Sequence, residues 1–224
     1  MVKKNVALLD LESNPNIGLY LFANDKFCLI GPQITERKKE QIEKVLGVNV
    51  YKTTALGTDL LGIFFAGNNE VLIIPELNDY EEEEILKITK KYDVKLIKIK
   101  SRLNTFGNNL CFANKSFLFN PEYSKETIDS ISKKTGCKSQ KLLNKEFNIA
   151  GAICKCINDS CFISQEIEEK EVGFFSKILK GAGTLNSGSN TVASGVVGNS
   201  KGLLIGSSSS TVEIQNLVES LDYL

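Results

Sequence analysis

The residues best suited to covalent chemistry are six cysteines, at positions 28, 111, 137, 154, 156 and 161, in a chain with no histidine. A cysteine attacks as its thiolate, and making the thiolate needs a base or a neighbouring cation. Histidine, the usual base, is missing, and although lysine could serve in principle, none is placed by a recognisable motif. Cys154 and Cys156 are separated by one residue, not by the two of a zinc knuckle or a redox pair. Cys28, Cys111, Cys154, Cys156 and Cys161 fall inside strand-like segments, where cysteine behaves as a small hydrophobe. We therefore expect packed cysteines in a reducing cytosol, with no metal, no cofactor and no catalytic residue. Glycine suggests a second chemistry, because seven glycines lie between Gly181 and Gly206. The dinucleotide fingerprint fails there: Gly181-x-Gly183 is followed by Asn186 where a third glycine belongs, and no helix follows. What remains is recognition by polar groups.

The elements that would position those groups repeat. The stretch DLLGIFFAGNNEVLIIP, residues 59–75, reads as two apolar strands, 60–65 and 71–74, joined at Asn68-Asn69. Asparagine tolerates the left-handed backbone of a tight hairpin. Four more stretches follow the same plan, and the leading glycines fall at 18, 62, 107, 151 and 195, in steps of 44, 45, 44 and 44. Turn asparagines follow at 24, 68, 114, 158 and 199. A fixed period in this range marks a repeat architecture. Helical spacing predicts helices over 35–46, 79–92, 124–135, 166–180 and 211–222, with Asp79/Glu82 and Ser210/Glu213 as capping signals and Gly47, Gly136 and Gly181 as stops. The acidic run 81–84 reads as a solvated helix face. Short strands follow the first four helices at 48–51, 94–99, 138–142 and 182–185.

The fifth unit lacks its last strand, and the strand at 6–10 belongs to no unit of its own. Together they predict one domain over 1–224: repeats at about 11–56, 57–103, 104–143, 144–186 and 187–224, closed by strand 6–10. The expected fold is α/β, a closed five-bladed αβ propeller of ββαβ units, helices outside and hairpins along the axis. Closure removes the exposed strand edges that an open array must protect.

Composition narrows the function. Lysine plus arginine and aspartate plus glutamate both number 27, which argues against affinity built mainly on neutralising phosphates. No apolar run approaches 18 residues, and the apolar stretch 6–9 is too short for a signal peptide. Asn114-Lys115-Ser116 and Asn158-Asp159-Ser160 match the glycosylation pattern but read as plain turns.

A closed five-unit ring of this length is similar to the pentein fold. More specifically, Ser101-Arg102-Leu103-Asn104-Thr105-Phe106-Gly107-Asn108, Asn120-Pro121-Glu122 and Gly181-Ala182-Gly183-Thr184-Leu185-Asn186-Ser187-Gly188-Ser189 resemble the translation initiation factor 6 family, the archaeal form being closest in length. The similarity runs over nearly the whole chain, although Ser187 stands where the family pattern usually has arginine. The resemblance implies a cytoplasmic, monomeric binding protein and not an enzyme. It implies docking on the large ribosomal subunit, against an L14-type ribosomal protein near the sarcin–ricin loop, which excludes the small subunit, with a part in late large-subunit maturation. No membrane or DNA partner is expected. The alternatives are a guanidine-modifying pentein enzyme, which would need the missing histidine, and a repeat scaffold with an unrelated partner.

Within such a ring the polar connections that enter each hairpin share one face, and loops on a rigid scaffold commonly carry binding groups. The expected docking residues are Thr58, Asp59, Ile63, Asn104, Asn108, Asn186, Ser187, Ser189 and Asn190.

Overall fold

The structure is a computed structural model, and it describes residues 5–144 and 146–223. Leu224, counted in the fifth expected repeat, lies outside them.

Strand β1 (Asn5–Leu9) opens the described residues. Five antiparallel hairpins follow: β2 (Phe22–Ala23) with β3 (Phe27–Ile30), β5 (Ala66–Gly67) with β6 (Val71–Ile74), β8 (Leu110–Phe112) with β9 (Ser116–Phe119), β11 (Cys154–Ile157) with β12 (Ser160–Ser164), and β14 (Val196–Asn199) with β15 (Gly202–Gly206). A parallel third strand completes each of the first four sheets: β4 (Asn49–Lys52), β7 (Lys95–Lys98), β10 (Lys138–Lys141) and β13 (Leu179–Gly183). In the fifth sheet that strand is β1, in register from Asn5 opposite Gly202 to Leu9 opposite Gly206. The middle strands are covered on both faces, which is why β6 can read Val-Leu-Ile-Ile with all four residues buried.

Long helices connect the second and third strands of the first three units, at Glu36–Leu46, Asp79–Lys91 and Lys125–Thr135, and Thr211–Ser220 follows β15. Thr35, Ser124 and Ser210 cap them through side-chain acceptors, and Gly47 and Gly136 end two of them in the left-handed conformation. The second helix is capped by Asn78, not Asp79: the Asn78 side chain accepts from the Glu81 amide. No helix among the described residues is long and apolar enough to cross a membrane.

Five apolar clusters make the core, and each joins two successive units. Ala66, Ile73 and Ile97 of the second unit, for example, pack with Phe106, Phe117 and Ile131 of the third. The fifth unit meets the first in the same way, where Val197 and Leu204 pack with Leu9, Ile42 and Val45. One unit alone could not cover its apolar faces; neighbours do it.

Several elements differ from the sequence expectation. The segment 60–65 is not a strand. Each unit enters its hairpin through a single helical turn, at Ile17–Leu19, Leu61–Phe64, Phe106–Asn109, Ala150–Ile153 and Val192–Gly195. Crowding at the axis explains these turns. A Cβ on Gly62 would lie 1.8 Å from the Gly18 carbonyl oxygen, one on Gly107 1.9 Å from that of Gly62, and one on Gly151 2.0 Å from that of Gly107. A Cβ on Gly18 would lie 2.0 Å from the Ala193 oxygen, so contacts pass from unit to unit and return from the fifth to the first. The residue in this place in the fifth unit is therefore Ala193, not Gly195.

The expected helix 166–180 is two short 3-10 stretches, Glu169–Glu171 and Gly173–Ile178, followed by β13, which starts three residues before the strand expected at 182. Gly173 has φ +52° and breaks the helical run. Of the turn asparagines only Asn158 is left-handed. The others act through their side chains: Asn24, Asn68 and Asn199 each accept two amides of their own turn.

The cysteines also depart from uniform packing. Cys156 and Cys161 stand opposite each other on β11 and β12 and form a disulfide, while Cys28, Cys111, Cys137 and Cys154 are buried thiols. The two-residue turn at Asn158-Asp159 sets that pairing, and counting outward from it would have found it. Burial holds the Cys28 thiol well above its usual range.

Candidate docking face

The third strand of each unit leads into the next axial turn through a loop, and every loop is held by side chains from the scaffold. Glu81 is 1 % exposed, so it is not part of a solvated face. Its carboxylate accepts from Thr54 Oγ1 at 2.7 Å, from the Gly57 amide at 2.8 Å and from the Leu56 amide at 3.2 Å. Glu213 repeats the arrangement in the fifth unit, accepting from Thr184 Oγ1 at 2.9 Å, the Gly188 amide at 2.8 Å and the Ser187 amide at 3.2 Å, with Ser210 N added at 2.7 Å. Burial alone would raise the Glu213 pKa; the donors outweigh it and bring it down to about 2.

Glu171 plays this part in the fourth unit, receiving Asn144 Nδ2 at 3.0 Å. In the third unit Tyr123 donates to Leu103 O at 3.0 Å, and Asn109, held by Asn120, donates to Thr105 O. In the first, the Ser13 amide and then Lys38 hold the Asp10 carboxyl below its usual range. The loop tips need left-handed backbone at Glu12, Ser13, Leu56, Gly57, Asn186, Ser187 and Gly188, a conformation the loop-binding carboxylates Asp10, Glu81 and Glu213 help to fix.

Four of the nine expected docking residues spend their side chains on this scaffolding. Thr58 Oγ1 donates to Ala55 O. Asn186 ties the fifth unit to the first through Pro15 O at 3.0 Å and Asn16 Oδ1 at 3.2 Å. Ser187 Oγ donates to Ser208 O at 2.6 Å, and Ser189 Oγ is 2.9 Å from Thr191 Oγ1.

The other five are not gathered in one place. Ile63 and Asn108 occupy the same position, third in their axial turns, in adjacent units, and both are half-buried. Asn108 borders the axial cavity of about 160 Å³ with Leu19, Ile149 and Thr191. Asp59 lines a groove of about 690 Å³ between the first two loops. Asn104 is half-buried on the third loop, and Asn190 Oδ1 is buried without a partner.

The groove also contains residues the sequence did not single out: Asp10, Glu12, Asn14, Tyr20, Gln33 and Lys38. They come from the first loop, the end of the first axial turn and the start of the first helix. Their one sequence signal is that Asp10 and Glu12 flank the first connection.

The opposite face is a tied surface. Asn24 donates to Asn68 O, Asn68 to Ala113 O and Asn114 O, Asn114 to Asp159, and Asn199 to Asn24 O, so successive turns are laced together. Asn158 reaches across to Asp25, which also receives Asn69.

Three comparisons bear on this arrangement. The sequence model of the eIF-6 family matches residues 6–220. The chain is 29% identical over 213 residues to translation initiation factor 6 of Staphylothermus marinus, covering 93% of this chain and 94% of that protein. It is 27% identical over 227 residues to the factor of Saccharolobus islandicus, covering 97% and 99%. Among solved structures it is similar in fold to a dimethylarginine dimethylaminohydrolase from Pseudomonas aeruginosa, with a TM-score of 0.55, 13% identity, and coverage of 78% of this chain and 71% of that one. That likeness is to the pentein fold expected from the sequence.

Proposed function

Because the chain belongs to the eIF-6 family, we propose that it acts in translation initiation by docking on the large ribosomal subunit and sterically excluding the small one. The family match carries this reading, since it spans all five units. The proposed partner surface is an L14-type ribosomal protein near the sarcin–ricin loop, met by a monomer in the cytoplasm, with a part in late large-subunit maturation. The five units would act as one closed, rigid disc. Its loop face offers Asp59, Asn104 and Asn190 on tied loops and Ile63 and Asn108 on adjacent axial turns, so little conformational entropy is lost on binding. Balanced charge fits contact made mainly with protein. An enzymatic reading of the pentein fold lacks its base, the sequence having no histidine.

Cosedimentation with purified large subunits on a sucrose gradient tests the proposal. The wild type should travel with the subunit and block its joining to the small one. Asn108→Arg and Ile63→Glu should abolish cosedimentation, because an unpaired charge buried at an interface costs several kcal/mol, about 3 or more. Lys115→Glu, exposed on the opposite face, should not. Loss of binding by Lys115→Glu alone would reverse the face, and a wild type that stays at the top of the gradient would end the proposal.

A further inference from the structure

Cys111 on β8 and Cys154 and Cys156 on β11 meet across the boundary between the third and fourth units. Their Sγ atoms all lie within 4.8 Å of one another, and Cys111 Sγ is 3.5 Å from Cys156 Sγ. The spacing Cys154-x-Cys156 puts both on one face of a strand, and the neighbouring sheet brings Cys111 to that face. The lone cysteines differ: the sulfurs of Cys28 and Cys137 lie against backbone carbonyls. Three planar thiolates at the about 2.3 Å of a zinc–sulfur bond stand about 4 Å apart, so the observed cluster needs only small side-chain rotations. All three residues border an axial cavity of about 80 Å³, larger than the about 30 Å³ of one water molecule. Lys155, between Cys154 and Cys156 in sequence, lines the same cavity.

In the structure Cys156 is bonded to Cys161. Two equivalents of a cellular thiol such as glutathione reduce that bond, giving two protein thiols and one oxidised glutathione.

We propose that the reduced protein binds one thiolate-seeking cation, Cu(I) or Zn(II), through Cys111, Cys154 and Cys156. As each sulfur–metal bond forms, a thiol proton leaves to solvent; no electron moves. An all-sulfur set suits Cu(I), which three thiolates satisfy, while Zn(II) would take water as its fourth ligand.

The test uses the full chain, reduced by a phosphine under anaerobic conditions and titrated with Cu(I) against bicinchoninate and with Zn(II) against a chromophoric chelator. One equivalent of either metal should bind, with thiolate-to-copper absorption for Cu(I), and should protect Cys111 and Cys154 from alkylation by N-ethylmaleimide. Cys111→Ser and Cys154→Ser should each weaken binding at least about tenfold, and Cys137→Ser should not. The alkylation readout on wild type serves even where a serine variant fails to fold. Failure of both metals to bind, equal binding by a folded Cys111→Ser variant, or alkylation unchanged by metal would overturn the site.

Discussion

Replacing Glu213 by glutamine tests whether the buried carboxylate holds the fifth loop. Glu213 is 9% exposed and receives three backbone amides and one hydroxyl. Glutamine keeps one acceptor oxygen but turns an NH₂ group toward donors that have nowhere else to go. The folded pKa, brought from 4.5 down to about 2, is worth roughly 3 kcal/mol of differential stabilisation. Solvent at the loop rim reduces that, so we expect Glu213→Gln to lose about 2–3 kcal/mol at pH 7, read from urea unfolding. The sign of the pH dependence is fixed. A depressed carboxyl stabilises the fold above its unfolded pKa, and that contribution disappears as pH falls from about 4.5 to about 2. The gap between wild type and variant should shrink over that window. A gap below about 0.5 kcal/mol at pH 7, or one that stays constant down to pH 2.5, would refute the clamp.

Two more outcomes concern the backbone. Gly62→Ala or Gly107→Ala should cost about 4 kcal/mol or prevent folding, because the new Cβ meets a carbonyl oxygen of the preceding unit. Gly57→Ala, at φ +73° with nothing within 4 Å, should cost only about 1–2 kcal/mol, and equal melting temperatures for the two classes would count against axial crowding. Deleting residues 1–10 removes β1 from β15 and Leu9 from the core, and should lower the melting temperature by about 10 °C or more; a drop within about 2 °C would show that the fifth sheet does not need its parallel strand.

Much of this fold is legible in the sequence because its signals are local and repeated. Thr35, Ser124 and the Ser210–Glu213 box announce helix starts, and the turn asparagines mark the hairpins. The solitary strand at the N-terminus has a partner only if the fifth unit takes it, and it pairs with Gly202–Gly206.

What escaped depends on neighbours distant in sequence. Residues 60–65 are apolar enough for a strand, but it is Gly18 of another unit that forces the turn at Gly62. Gly195 fits the 44-residue step, yet it is Ala193 that sits at the axis, its carbonyl oxygen 2.0 Å from where a Cβ on Gly18 would lie. Asn186 and Ser187 looked like spare polar groups; their partners, Pro15, Asn16 and Ser208, become visible only when the first and fifth units meet. Glu81 belongs to an acidic run, and its burial is set by the loop folded over it.

The pairing of β1 with β15 has a consequence for how the protein is made. Asn5 leaves the ribosome well before its partner, Gly202, which lies 197 residues further along the chain. Until then the first strand has no sheet to join, and the interlocked groups Asn186, Pro15 and Asn16 remain apart. Contacts so remote along the chain form late and slowly. A nascent chain halted in the fourth unit therefore holds neither the sheet that β1 joins nor the ties from Asn186 to the first loop.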